Sequence, residues 1–274
     1  MKLKKSPLQT LTHFFYLMSN KFTILGCGSS LGVPKVDGDW GDCDPKQKKN
    51  NRTRCSALIS FGHKNILIDS SPDLRFQLLK NKIKNIDAVI YTHMHADQTH
   101  GINDLRVFYI KNKKKIPIYA DKLTSNYLIE HFTYCFKSKF NYPAILELKE
   151  IKKSLNFINK KNRLNIKAIP VQHGSIDALS YIFNNSCAYA SDVNLIYKKD
   201  IKHFKNLNYL VIDCLRFKSH PSHFNLDDVL QLTSIINPKK TILTNLHCDL
   251  DYNYLLKNLP KNVIPAFDSL SFNF

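Results

Sequence analysis

One stretch constrains this chain more than any other. The apolar run Ile86-Asp87-Ala88-Val89-Ile90-Tyr91 ends directly on Thr92-His93-Met94-His95-Ala96-Asp97-Gln98-Thr99-His100-Gly101. A short β-branched run of this kind reads as a buried strand. His93, His95 and Asp97 alternate along the loop that leaves it, so two imidazoles and a carboxylate can point from one tight turn. That donor set suits a divalent ion such as Zn²⁺ or Mn²⁺. A loop rich in histidine by chance does not account for four ligand-type side chains within eight residues.

The same arrangement recurs downstream. Ile169-Pro170-Val171-Gln172 leads to His173, and Cys187-Ala188-Tyr189-Ala190-Ser191 leads to Asp192. The segment Leu215 to Asn225 holds His220 and His223, and Ile242-Leu243-Thr244-Asn245-Leu246 ends on His247. Each alone is an ordinary surface or core residue. Together they place a ligand-type side chain at the exit of successive strands.

Strand-like runs fall in two batches. The first comprises Phe22 to Leu25, Ser56 to Phe61, Asn65 to Asp69, Ala88 to Tyr91 and Ile116 to Tyr119. The second comprises Leu164 to Pro170, Leu179 to Phe183, Cys187 to Ala190, Tyr209 to Ile212 and Thr241 to Leu243. Helix-like stretches lie between them: Pro72 to Lys82, Thr99 to Ile110, Leu123 to Phe136 and Leu226 to Ile236. Asn225 is the natural N-cap of the last, with Asp227 and Asp228 at its positive end. Two batches of strands with interleaved helices predict two packed sheets covered by helices, an α+β fold. With no repeat and no long linker, 21–274 reads as one domain. Residues 1–20 read as an extension, either disordered or an artefact of the assigned start, with Met18 as an alternative first residue. Thr10, Thr12 and His13 interrupt the apolar run there, which argues against a signal peptide.

The formal net charge of +18 raises a nucleic-acid reading, but of the 40 basic residues only six are Arg. Lys, Asn and Ile are abundant throughout, which is a bias of the whole chain and favours an ordinary solvated surface. The clusters Lys46 to Arg54 and Lys111 to Lys115 can still attract a phosphate-bearing substrate. Nucleic acid is therefore open as a partner but not favoured, and a homodimer is left open. No stretch approaches the ~18 apolar residues of a membrane span. Seven cysteines without CxxC spacing fit a reducing cytoplasm better than a disulfide framework.

This pattern resembles the metallo-β-lactamase superfamily, and the resemblance runs from about Phe22 to the C-terminus. Within it, the chain resembles the branch containing the phosphoribosyl 1,2-cyclic phosphate phosphodiesterase. The segments that carry the likeness are Leu25-Gly26-Cys27-Gly28-Ser29-Ser30-Leu31-Gly32-Val33-Pro34, Arg54-Cys55-Ser56, Leu67-Ile68-Asp69, Gly101-Ile102-Asn103-Asp104-Leu105-Arg106 and His223-Phe224-Asn225-Leu226. The resemblance implies a four-layer αββα sandwich and two divalent metal ions, Zn²⁺ or Mn²⁺, as cofactors. His93, His95 and His173 then correspond to ligands of the first ion, Asp192 to the bridging carboxylate and Asp97 to a ligand of the second. His223 corresponds to the acid/base histidine.

The chain departs from the family twice. Gln98 stands where a histidine usually follows the Asp, and Asn245 stands where another usually ends the last strand. His100 and His247 lie two residues beyond these places, and His247 is the expected replacement for the lost imidazole. His100, Gln98 and Asn245 are further metal-binding or supporting candidates. Arg75 and Arg106 either pair with supporting carboxylates or grip a phosphate, the structural role being favoured for Arg106. A structural metal on Cys43, Cys55 and Cys248 is the less favoured reading of those thiols. Gly26, Gly28 and Gly32 read as turn formers and not as a phosphate cradle.

The expected function is metal-dependent hydrolysis of a small cyclic phosphate or phosphate ester. Two adjacent cations would generate hydroxide near neutral pH and neutralise the phosphoryl oxygens. Asp97 would orient the hydroxide, and His223 would protonate the leaving oxygen. The alternatives are an RNA phosphodiesterase of the tRNA 3′-endonuclease type, a carbonyl ester or thiolester hydrolase, and a non-enzymatic single-metal or metal-free binding protein. The stretch between Pro117 and Asn165 is too short and too ordinary to read as the protruding tRNA-gripping arm of those endonucleases.

Overall fold

The computed structural model describes residues 20–151, 153–159 and 162–274. The N-terminal extension expected over 1–20 lies outside the described residues except for Asn20, whose carbonyl accepts from the Phe274 N–H. Seven strands make the first sheet: β1 (Lys21–Gly26), β2 (Ser56–Phe61), β3 (Lys64–Ile68), β4 (Ala88–Ile90), β5 (Ile116–Ala120), β6 (Leu146–Glu150) and, at the far end of the chain, β14 (Ser271–Asn273). Their order is β14-β1-β2-β3-β4-β5-β6. The second sheet takes β7 (Ser154–Asn159), β8 (Asn162–His173), β9 (Ile176–Phe183), β10 (Cys187–Ala190), β11 (Tyr209–Asp213), β12 (Lys240–Thr244) and β13 (Val263–Pro265). Its order is the reverse of the chain, β13 through β7.

Period-2 burial on both faces of the central strands produces the layers. In β3 and β4, Ile66, Ile68, Ala88 and Ile90 face the second sheet and meet Tyr181, Tyr189, Val211 and Ile242. The intervening Leu67 and Val89 face outward onto Leu74, Leu105 and Leu128. Those leucines belong to α1 (Leu74–Lys80), to a 3₁₀ turn over Ile102–Leu105, and to a longer helix over Lys122–His131. Across the molecule, Leu210 and Ile212 of β11 face outward onto Val229 and Ile236 of the helix Leu226–Ile236. Three apolar layers between four structural ones give the αββα sandwich the sequence implies.

The helix over Leu226–Ile236 has the expected limits, and its cap is reciprocal: Asn225 accepts from the Asp228 N–H while Asp228 accepts from the Asn225 N–H. The helix expected over Thr99 to Ile110 is instead three pieces, α2 (Ala96–Thr99), the 3₁₀ turn and α3 (Arg106–Asn112). Gly101 marks the break. Its N–H donates to Ser70 O at 2.8 Å, and a Cβ there would lie 2.0 Å from Ser71 O. The short edge strands β6, β7, β13 and β14 escaped sequence reading. β6 and β7 are polar, and β13 and β14 have only three residues each.

Candidate metal centre

Topology brings the strand exits to one edge. β10, β11 and β12 are mutually parallel, and β8 runs in the same sense because it is separated from β10 by the antiparallel β9. β3 and β4 are likewise parallel in the facing sheet. Asp69, His93, His173, Asp192, Asp213 and Asn245 therefore all emerge from strand C-terminal ends.

Three imidazoles converge there. His93 Nε2 lies 2.9 Å from His95 Nδ1, and His173 Nε2 lies 3.2 Å from the same atom. Two ligands about 2.0–2.1 Å from one tetrahedral ion stand about 3.3 Å apart. The remaining nitrogens fix the tautomers. His173 Nδ1 donates to the Ser222 carbonyl at 2.7 Å. The Thr92 hydroxyl donates to Asp69, so His93 Nδ1 donates to the Thr92 oxygen at 3.0 Å. Both Nε2 atoms thus present lone pairs to a common point. Burial pushes His93 down to about 3, its histidine neighbours adding to the effect, and burial also lowers His95. Neutral imidazoles with convergent nitrogens suit a cation between them, so the donor set fits one divalent ion.

Asp192 is buried beside this group and forms a second convergent set with His173 and His223. Burial works to raise its carboxyl, but His93, His173 and His223 outweigh that and hold it below the usual range. Asp97 goes the other way. Burial and the charge of Asp192 raise it to about 7. These side chains line a polar cleft of ≈ 280 Å³, together with Ser29, Ser30, Leu31, Arg216, His220 and His247.

His223 lines the same cleft, its ring 4.7 Å from that of His173. Asp213 Oδ2 is 2.6 Å from His223 Nδ1. Burial raises Asp213 to about 7 despite His223, while Asp213 lifts His223 to about 9 against burial. The Nδ1 proton is held against Asp213, and an imidazole lifted in this way carries a second proton on Nε2, the nitrogen not engaged by Asp213. Asp213 is a residue the sequence reading missed. Its signal was the one used elsewhere, a carboxylate ending the apolar run Tyr209-Leu210-Val211-Ile212.

Other expected residues lie elsewhere. His247 reaches the cleft wall, but its Nδ1 meets Asp249 Oδ1 at 3.1 Å and it joins neither convergent group among the described residues. Asn245, two residues earlier, sits in the left-handed region at φ 61° and its amide meets Asp192 and Asp213. His100 points away, bonding Tyr127 at 3.1 Å and packing on Phe132. Arg75 lines a separate groove with Leu78 and Lys111, and Arg106 lies over the Tyr142 ring. Neither arginine lines the cleft. The arginine that does is Arg216, whose guanidinium pins the carbonyls of Lys218 and Ser219 in the His220–His223 loop. Cys43 and Cys248 pack with Val33 and Trp40, whereas Cys55 lies against Thr244.

A family model described as a beta-lactamase superfamily domain matches residues 64–245. The chain belongs to the metallo-β-lactamase superfamily. Its branch is the PhnP one: a crystal structure described as a new diphosphatase from the PhnP family superposes with a TM-score of 0.85 at 30% identity, covering 93% of this chain and 98% of that one. The superfamily assignment and the branch expected from the sequence both hold. Among curated proteins, this superfamily member is similar to an octanoyltransferase of Porphyromonas gingivalis, 32% identical over 90% of the chain and 50% of that protein. It is also similar to a ribonuclease Z of Clostridium acetobutylicum, 28% identical over 68% of the chain and 59% of that protein. The chain thus spans about half the length of the curated relatives it matches. The human short-form tRNase Z, at 14% identity and a TM-score of 0.66, shares the fold. No helix among the described residues is long and apolar enough to cross a membrane.

Proposed function

We propose that this chain is a phosphodiesterase that hydrolyses small phosphate esters with a divalent cation, Zn²⁺ or Mn²⁺, as cofactor. The observation that carries this reading is the placing of His223, held by Asp213, in one small cleft with His95 and His173 of the convergent imidazoles. His93, His95 and His173 would hold the ion, with Asp192 beside them. A cation bound there supplies Lewis acidity and positive charge next to a phosphoryl group. Asp97, which lines the cleft, would orient the attacking water through its carboxylate. His223 presents Nε2 to the departing oxygen and donates a proton to it, and Asp213 keeps the ring in the orientation and tautomer this requires. Arg216 closes the loop that carries His223 and adds a positive charge to the wall.

Size favours a small substrate. At ≈ 280 Å³ the cleft is just below the usual range of ligand pockets, about 300–1,000 Å³. The relative named a diphosphatase supports phosphoryl chemistry at this site. The relatives named ribonuclease Z, together with the net charge of +18, favour RNA as the second reading. The octanoyltransferase name concerns acyl chemistry in a protein twice as long and makes esters and thiolesters useful controls.

The test compares kcat/KM at physiological salt for bis(p-nitrophenyl) phosphate, cyclic nucleotides, a nucleoside diphosphate ester, a thiolester and a tRNA precursor. Small phosphodiesters should be cleaved far faster than the tRNA. A clear preference for tRNA would overturn the size argument and make the basic surface functional, with the steep salt dependence of phosphate contacts as its mark. Hydrolysis of the thiolester alone would overturn the phosphoryl reading.

A further inference from the structure

We infer that the centre works with a single divalent ion, the place of a second being filled by the amides of Gln98 and Asn245. This rests on the metal-dependent reading above and departs from the two-ion expectation. The second convergent set, His173, Asp192 and His223, shares His173 with the first, and both oxygens of its one carboxylate are taken by amide donors, so it does not make a separate second site.

Asp192 is the carboxylate that would have to be shared between two ions. Both its oxygens face an amide instead. Gln98 Nε2 donates to Oδ2 at 3.1 Å, and Asn245 Nδ2 donates to Oδ1 at 3.4 Å. Gln98 Nε2 also reaches Asp97 Oδ2 at 3.3 Å, and Asn245 Nδ2 reaches Asp213 Oδ1 at 3.1 Å. Each NH₂ group therefore bridges two carboxylates. That is the electrostatic work of a cation between like charges, performed here by donor dipoles.

Turning the amides round to offer oxygen to an ion would be costly. The Asn245 oxygen would then face both Asp192 and Asp213, and the Gln98 oxygen would face both Asp97 and Asp192. In the observed orientation only Gln98 Oε1 is buried without a partner, a smaller penalty than oxygen against two carboxylates. Neither side chain has room to swing out. Gln98 is 0% exposed and Asn245 is 1% exposed, with its backbone in the left-handed region. Of the histidines two residues further on, His100 is bonded to Tyr127, and His247, though it lines the cleft, joins neither convergent group among the described residues.

The experiment measures metal stoichiometry, which does not depend on knowing the substrate. Purified full-length chain is stripped with chelator and titrated with Mn²⁺ and, separately, Zn²⁺. Bound metal is counted by plasma mass spectrometry after gel filtration and located by anomalous scattering in crystals. The expected result is one ion per chain, coordinated by His93, His95 and His173. The Gln98→His, Asn245→His double variant should rise to two ions per chain. Two tightly held ions in the wild-type chain would overturn the inference, whatever the double variant does. No retained ion would overturn both this inference and the metal-dependent reading. One ion with no phosphodiester hydrolysis would sink the proposed substrate class and leave the single-ion centre standing.

Discussion

Asp213 and His223 meet at 2.6 Å, the carboxylate fully buried and the imidazole open to the cleft. The carboxylate ends β11, while the histidine comes from a loop ten residues later. The pair is formed only when that loop folds back, with the Phe224 N–H donating to Val193 O and the Leu215 N–H donating to Phe224 O. In the proposed reaction Asp213 would act through His223, as a positioning residue.

Removing either member should separate leaving-group effects from metal effects. His223→Ala is expected to lower the rate by about 10²- to 10⁴-fold for a diester with an alkoxide leaving group. The loss should shrink to a few-fold with p-nitrophenol, which departs without a proton. Asp213→Asn should show the same leaving-group dependence with a smaller loss. Metal content measured beside the kinetics should stay unchanged in His223→Ala. An equal loss on both substrate types would mean that His223 does not deliver the proton.

His95 offers the cleanest removal of a ligand. It is exposed where His93 and His173 are buried, so His95→Ala opens no cavity. The variant should lose metal retention and hydrolysis while its melting temperature without metal stays within about 2 °C of wild type, since surface changes cost within about 0.5 kcal/mol. Wild-type activity with metal still bound would remove His95 from the ligand set. His247→Ala, by contrast, should keep its ion, and loss of that ion would restore His247 as a ligand.

Arg54 and Asp73 make a forked pair, with Nε and Nη2 reaching the carboxylate at 2.8 and 2.7 Å and the Arg54 N–H adding a third donor at 2.9 Å. Burial works to raise the Asp73 carboxyl, but the arginine outweighs it and the carboxyl sits below its ordinary value. A depressed folded-state value means that the stabilisation is present above the ordinary carboxylate pKa of about 4 and is lost as pH falls through the depressed one. Arg54→Ala should therefore destabilise the chain near pH 7 by about 1–3 kcal/mol. That difference from wild type should narrow in urea titrations repeated below pH 4. A constant difference across that range would remove the charge argument.

Gly101→Ala tests the backbone approach that splits the expected helix. The added methyl would lie 2.0 Å from Ser71 O, against backbone that cannot swing aside. Loss of about 1–3 kcal/mol or more is expected from overpacking of this kind, read as a lower urea midpoint with an unchanged slope. A neutral result would show that α2 and the neighbouring loop move together.

The local sequence by itself determined the central strands and the ligand-type side chains at their exits. Ala88-Val89-Ile90 has no choice but burial on both faces, and the polar loop that follows must leave the sheet at its edge, carrying His93, His95 and Asp97 with it. His173, Asp192 and the capped helix from Leu226 were legible for the same reason, that the signal lies within a few residues of chain. What tertiary structure decided was direction and partnership. His247 and His100 have the right chemistry in the right neighbourhood, yet His100 is bonded to Tyr127, and His247 lines the cleft without joining either convergent group among the described residues. Asp213 became a partner of His223, and the amides of Gln98 and Asn245 became partners of Asp192, across separations of 10, 94 and 53 residues. Residue type and spacing along a strand state which groups reach an edge. Which of them face one another depends on the packing of two sheets and on single backbone angles, and no local pattern encodes either.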